Sequence, residues 1–350
     1  LIVADAGGTA ESVQAWAKKN GICLREAADA SNLAEWKDQS IVLSPLSENK
    51  GISANTNAGI ELAAGDAVGL LDHDDLLTAN ALWEMADCLE KEKKRGKQKL
   101  VLFSDEDKCD GAASRFYEPN FKPDFDGELL LTNNYICHFT VIETAFLKEL
   151  KLRSGFDGAQ DYDLMLRAYA AGGQFVHVPK VLYHWRCHQE STASNPESKL
   201  YAFDAGARAI MDHYKRVGIE AERVEKGVDY GIYHSVYKIQ GEPLVSIIIP
   251  NKDHHTDLDL CLRAIETRAT YRNVEFIIVE NNSTEKETFE YYEKIQKEFS
   301  NVHVVTWERE FNYSAINNYA VSETDGEYLV LLNNDTSSPT LATTRSSNCG

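Results

Sequence analysis

No two cysteines of this chain stand in a C-x-x-C spacing. The seven present (Cys23, Cys88, Cys109, Cys137, Cys187, Cys261 and Cys349) are odd in number and scattered. That argues against a disulfide framework and a zinc site, and fits free thiols in a reducing cytosol. No apolar run approaches the roughly 20 residues of a membrane span, and Leu1-Ile2-Val3-Ala4-Asp5 is too short and too acidic at its end for a signal peptide. Positive charge is scarce. Thirty-six basic residues face fifty-five acidic ones for a net charge of -19, which disfavours nucleic acid or an anionic membrane surface as the main partner. A phosphate-bearing ligand then needs a metal ion or a local basic cluster to approach. A Gly-rich or basic phosphate loop is also missing, which weakens a nucleotidyltransferase reading. The basic run Lys91 to Lys99 falls at a predicted helix C-terminus, where cations suit the dipole.

What is present is one stretch written twice. Ser53-Ala54-Asn55-Thr56-Asn57 recurs 261 residues later as Ser314-Ala315-Ile316-Asn317-Asn318. Each copy continues to a glycine and an acid (Gly65-Asp66, Gly326-Glu327), an apolar run, and a polar cluster: Asp72-His73-Asp74-Asp75 in the first, Asn333-Asn334-Asp335 in the second. So long a period indicates two related domains in tandem, because solenoid units run to roughly 20 to 50 residues. With 43% apolar and 10% aromatic residues, 350 residues suffice for two real cores.

Short Val/Ile/Leu runs alternate with amphipathic segments, the βαβ pattern of a parallel sheet buried on both faces: Leu1–Val3, Ile41–Leu43, Ala67–Leu71 and Leu100–Phe103, then Val245–Ile249, Val274–Val279, Val302–Thr306 and Tyr328–Leu332. Leu82, Met85, Ala86 and Leu89 predict a helix capped by Thr78 and closed at Gly96. The expected organisation is a first domain over 1–225, a linker over 226–243, the first half of a second domain over 244–336, and an irregular Ser/Thr-rich tail over 337–350. The second unit opens with Val245-Ser246-Ile247-Ile248-Ile249-Pro250, whereas the Leu1 strand matches Phe276–Val279. The first domain is therefore expected to lack its opening strand, and the second to be truncated, as in a fragment of a longer protein.

In an open α/β sheet ligands bind beyond the carboxyl ends of the strands. Asp72-His73-Asp74-Asp75 follows such a strand, and crowded carboxylates call for a cation such as Mg²⁺ or Mn²⁺, or for hydrogen bonds. A helix cap formed by Asp74 or Asp75 is the other reading. Further on, Gly155-Phe156-Asp157-Gly158-Ala159-Gln160-Asp161-Tyr162-Asp163 sets carboxylates at the mouth of a helix, and Val181-Leu182-Tyr183-His184-Trp185-Arg186 reads as a short strand ending in an imidazole and a guanidinium. Taken singly, Asp161 reads as a helix cap before it reads as a base, and His184 and His138 as hydrogen-bonded core histidines.

In combination and order, these motifs resemble the inverting family 2 glycosyltransferases of the GT-A fold, in particular the bacterial tandem two-domain type of surface-polysaccharide synthesis. The likeness runs from Leu1 to about Thr336. It implies two GT-A copies, each a mixed sheet flanked by helices, and transfer of a sugar with inversion from a nucleotide-diphosphate donor to an oligosaccharide or lipid-linked acceptor. Asp161 would be the catalytic base, taking the acceptor hydroxyl proton. Asp74 and His184 would hold a divalent metal, Mn²⁺ or Mg²⁺. Substrate contacts would come from Asp5, Asn49, Lys50, Asn57, Asp72, Asp105, Asp107, His138, Gln160 and Arg186. The resemblance further implies cytoplasmic work, with peripheral association at the inner face of the membrane. Two departures stand out. Ala4-Asp5-Ala6-Gly7 replaces the family's paired aspartates, and the second domain carries Asn281-Asn282 and Asn333-Asn334-Asp335, with fewer charges for a metal. A non-catalytic nucleotide- or glycan-binding or scaffolding module is the competing expectation.

Overall fold

The computed structural model describes residues 1–6, 10–26, 40–187 and 200–336. They divide into two units between Lys238 and Ile239. The first opens with β1 (Ile2–Asp5), α1 (Ala10–Asn20), β2 (Cys23–Glu26) and β3 (Ser40–Pro45), a parallel sheet in the order β1-β3-β2. The unbroken apolar run Ile41-Val42-Leu43 puts β3 in the middle, where both strand edges are paired and all three side chains are buried.

A larger sheet follows, mixed rather than parallel as the runs at Ala67 and Leu100 predict, because both strands pair antiparallel with the Thr140–Glu143 strand between them. It is built from α2 (Ile52–Leu62), β4 (Ala67–Leu70), β5 (Leu76–Leu77), α3 (Ala81–Lys94), β6 (Leu100–Cys109), β7 (Phe116–Asn120), α4 (Gly127–Leu130), β8 (Thr140–Glu143), α5 (Thr144–Leu150), α6 (Gln160–Ala170) and β9 (Gln174–Arg186). Its order is β4-β8-β6-β9-β5, with β7 added to β6. The central strand β6 runs parallel to β9 and antiparallel to β8. Leu100 to Phe103 are fully buried, and from Asp105 the same strand turns acidic. On one face Val101, Phe103 and Ile142 pack with Leu164 and Met165 of α6 and with Ile210 and Tyr214 of α7 (Leu200–Val217). On the other, Leu102, Phe139 and Tyr183 pack with Met85 of α3. A hairpin, β10 (Ala221–Lys226) and β11 (Tyr233–Tyr237), closes the unit.

Local expectations shift at three places. The residue before α3 is Asn80, not Thr78, whose hydroxyl is buried without a partner. The inward face of α3 is Ala81, Met85 and Leu89, while Leu82 points to solvent. Residues 226–243 contain β11, whose Tyr233 enters the core; strand pairing with β10 orders a polar stretch that carries little apolar signal. The tail over 337–350 lies outside the described residues.

The second unit is a parallel sheet in the order β14-β13-β12-β15. Its elements are β12 (Val245–Asn251), α8 (His255–Arg268), β13 (Val274–Glu280), α9 (Lys286–Glu298), β14 (Val302–Thr306), α10 (Tyr313–Ser322) and β15 (Tyr328–Leu331). The repeated stretches are α2 with β4 and α10 with β15, the same helix–turn–strand unit twice. Their strand neighbours differ. β15 lies parallel to β12, whereas β4 is antiparallel to β8 and, among the described residues, has no counterpart of β12 beside it.

Candidate active site

Strand register assembles one wall of the site. β6 pairs with β9 so that Glu106 meets Tyr183, Asp107 meets His184 and Cys109 meets Arg186, while β5 pairs Leu76 with His184. The Asp72–Asp75 tip, which leads into β5, is thereby delivered to the end of β9. Asp75 is buried there, accepting hydrogen bonds from the Arg186 N–H at 2.7 Å and from the Tyr183 hydroxyl. Burial pushes its carboxyl above the ordinary range against those two bonds. The Arg186 guanidinium donates to the carbonyl of Asp74 at 2.6 Å and to that of Gly111 at 2.7 Å, tying the tip to the loop after β6.

His184 Nδ1 sits 2.5 Å from Asp107 Oδ1, and its ring lies 4.4 Å from that of Phe116. An ionised carboxylate only accepts, so Nδ1 is the donor of this bond; in the neutral ring that leaves the lone pair on Nε2, the tautomer and support of a metal-ligating histidine. Among the described residues no three His, Cys, Asp or Glu side chains converge as a metal shell. Asp74 and His184 are the two candidate ligands on this wall; one or two carboxylates completed by phosphate oxygens is the usual manner of binding Mg²⁺.

The adjoining wall is the 134–138 segment and the first turn of α6. Asn134 Nδ2 donates to Asp161 Oδ2 at 2.9 Å, and the Tyr162 N–H to Asp161 Oδ1 at 2.8 Å. The cap position of α6 belongs to Ala159, so Asp161 stands inside the helix with its carboxylate turned to Asn134. Asp163, two residues on, is buried and bonded to Arg153 and Arg167. The His138 N–H donates to Glu106 Oε2 at 2.7 Å; its Nδ1 lies 3.8 Å from the same oxygen and its Nε2 3.9 Å from Asp72 Oδ2. Its ring stacks on Tyr183 at 5.1 Å. Burial lowers the affinity of His138 for a proton, but Glu106, with Asp161 and Asp72 behind it, outweighs burial and raises its pKa above 6.5. Glu106 shows the mirror effect: burial works upward, and His138 and Lys122 hold it below 4.5.

Asp72, His138 and Asp161 are thus neighbours, and Asp74, Asp107, His184 and Arg186 form the adjoining wall. The other expected residues, Lys50 apart, hold backbone. Asp105, 3% exposed, accepts the Lys122 N–H at 2.9 Å and sits 2.8 Å from His177 Nε2. The Asn57 amide bonds both backbone groups of Leu152, at 2.8 and 2.9 Å. Asp5 accepts the Ala10 N–H at 2.8 Å at the head of α1. Asn49 accepts from Gly51 and Asn55, Gln160 accepts from Gly158, and the exposed Lys50 lies 3.5 Å from Glu48. Short amide and carboxylate side chains readily replace backbone partners in this way. Sequence reasoning passes over Glu106 as a group in its own right and Lys122 altogether; a lone lysine in a polar stretch gives no signal. In the second unit Asn281 donates to the carbonyls of Trp307 and Arg309, and Asn334 to Asn251 Oδ1 at 2.7 Å.

The family model described as Glycosyl transferase family 2 matches residues 24–150 and again 246–340. The chain belongs to that family. The mixed α/β sheet with flanking helices is its GT-A fold. Among relatives of this family 2 chain, the O-antigen biosynthesis protein RfbC of Myxococcus xanthus is 36% identical over 314 residues, covering 89% of this chain and 23% of RfbC. Protein y4gI of Sinorhizobium fredii is 38% identical over 290 residues, 82% of this chain and 31% of that protein. The chain thus spans under a third of either relative. The amylovoran biosynthesis glycosyltransferase AmsB of Erwinia amylovora is 26% identical over 271 residues, covering 70% of this chain and 86% of AmsB. Among solved structures, residues 1–349 of S. aureus TarS in complex with UDP-GlcNAc align at 17% identity and a TM-score of 0.38, over 52% of this chain and 53% of that 1–349 chain. No described helix is long and apolar enough to cross a membrane.

Proposed function

We propose that the first unit is the sugar-transfer site of an inverting, metal-assisted glycosyltransferase. It would move a sugar from a nucleotide-diphosphate donor to a hydroxyl of a glycan or lipid-linked acceptor in cell-surface polysaccharide biosynthesis. One observation carries the reading: the tip carboxylate Asp72 and the helix-mouth carboxylate Asp161 come to one loop, through His138 and Asn134 respectively, although they are distant in sequence. Names of relatives in O-antigen and amylovoran biosynthesis support the polysaccharide context.

In this reading Asp161 takes the acceptor proton as the oxygen attacks the anomeric carbon opposite the leaving diphosphate, with Asn134 fixing the carboxylate's orientation. Asp72 and His138 hold the donor sugar, and Asp107 keeps His184 in its ligating tautomer. A divalent ion on Asp74 and His184 would supply positive charge for the departing diphosphate. Arg186 stiffens the tip that carries Asp74. We take residues 244–336 to repeat the opening half of the fold, following a first domain that runs through β11 to Lys238, and we place the work in the cytoplasm, at the inner face of the membrane.

The test is calorimetric binding of UDP, GDP and dTDP with and without Mn²⁺, to the chain and to Asp74→Ala. Metal-dependent binding of one nucleotide, abolished by the substitution, is the expected result. A folded sample that bound none of the three would favour the non-catalytic module.

A further inference from the structure

Among the described residues Lys122 is the one lysine buried from water, 6% exposed. An ammonium removed from water costs several kcal/mol unless its surroundings repay it, so its bonds indicate what the charge is for. Nζ donates to the carbonyl of Ile136 at 2.9 Å and to that of His138, and lies 3.9 Å from Glu106 Oε2. The residue's own N–H donates to Asp105 on β6. Lys122 therefore spans from the rigid central strand to the 134–138 segment. That segment has Asn134 on Asp161 at one end and His138 facing Asp72 at the other. Glu106 holds the same segment from beneath through the His138 N–H. A hydrocarbon side chain would fill the space equally well without the desolvation cost; it could not bond two carbonyls of one loop.

We propose that Lys122 is a positioning residue of the transfer site, fixing the 134–138 loop so that Asn134 meets Asp161 and His138 meets Asp72. The proposal rests on the sugar-transfer reading above. It implies that loss of the ammonium lets the loop shift while the donor's other contacts remain, and a misplacement of about 1 Å at a reacting centre costs on the order of 100-fold in turnover.

The experiment compares the chain with Lys122→Met and, as a control, Lys99→Met. Lys99 donates to the Ala171 carbonyl at 3.0 Å, beside the first residue of β6 and at the end opposite the acidic site residues. Three quantities are read: melting temperature, hydrogen exchange over 134–138, and release of nucleoside diphosphate from UDP-, GDP- and dTDP-sugars. The expected result is a folded K122M with fast exchange confined to 134–138 and kcat lowered about 100-fold. Its donor KM should stay within about threefold of the parent, the mark of an interaction made in the transition state, and K99M should match the parent in turnover. Unchanged exchange or unchanged kcat in K122M overturns the proposal, and so does a loss of turnover that K99M shares. If the parent chain turns over none of the donors, the sugar-transfer reading fails separately. Exchange then decides alone whether Lys122 clamps the loop: lost protection supports the clamp, retained protection refutes it.

Discussion

Asp161 and Asp163 stand two residues apart on one helix in opposite surroundings, so Asp161→Asn and Asp163→Asn should separate chemistry from stability. Asp163 is 1% exposed and is shared by Arg153, through Nη2 and through Nε at 3.1 Å, and by Arg167 Nε at 2.9 Å. An asparagine there keeps one acceptor but turns an amide NH2 toward guanidinium donors and removes the charge that offsets two partly buried cations. Breaking a buried ion pair from one side costs about 3–5 kcal/mol. At about 2–4 °C per kcal/mol for a unit of this size, the melting temperature should fall by about 6–20 °C. Asp161 is half-buried and bonded to Asn134 and the Tyr162 N–H. Asparagine preserves its shape at a stability cost of about 1 kcal/mol or less, but it cannot take a proton. The expected loss in turnover is about 100- to 10,000-fold for a missing general base, or about 3–5 kcal/mol of barrier. Thermal melts and release of nucleoside diphosphate from the donor that the chain accepts measure both. A D161N variant that turned over normally, or a D163N variant that melted with the parent, would refute the division of labour.

Two further outcomes follow from the geometry. Gly51 precedes α2 at φ 92° and ψ 167°, a region essentially reserved for glycine, and a Cβ there would lie 2.5 Å from Asp157 Oδ2, which belongs to the carboxylate that Ser53 bonds. Gly51→Ala should lower the free energy of urea unfolding by about 1–3 kcal/mol, and a superimposable unfolding curve would contradict this. The Glu106–His138 pair sets a pH window. Glu106, held below 4.5, contributes stability above that value and loses it as pH falls through its depressed pKa; His138, raised above 6.5, contributes below 6.5 and loses it as pH rises through its raised pKa. Melting temperature against pH should therefore show both shoulders in the parent. In Glu106→Gln the acid shoulder should shrink and the alkaline one move to lower pH, and coincident profiles for the two proteins would count against the pair.

What could be read from the sequence was whatever obeys a local period. The repeat of α2–β4 in α10–β15 and the runs that became β3, β12 and β13 were visible because a strand covered on both faces must be apolar throughout. β6 broke that rule. Its first four residues read as a strand, but the sequence did not carry the strand on through Asp105, Glu106 and Asp107, because pairing with β9 is what keeps three acids in line there, and that pairing joins segments some seventy residues apart. The departure from the local pattern coincides with the site, as expected where function rather than folding selects the residue. The same reasoning separates Asp161 from Asp163. Both satisfy the pattern of an acidic first turn, and the arginines that claim one of them come from Arg153 ahead of the helix and Arg167 one turn along it. Lys122 is the extreme case. Its position depends on two segments, β6 through Asp105 and Glu106 and the 134–138 loop through its carbonyls, which no spacing rule connects. A sequence therefore reveals which carboxylates are available for chemistry more readily than which side chains hold them still, and substitutions at the second kind, of which K122M is one, test whether the two kinds have been told apart.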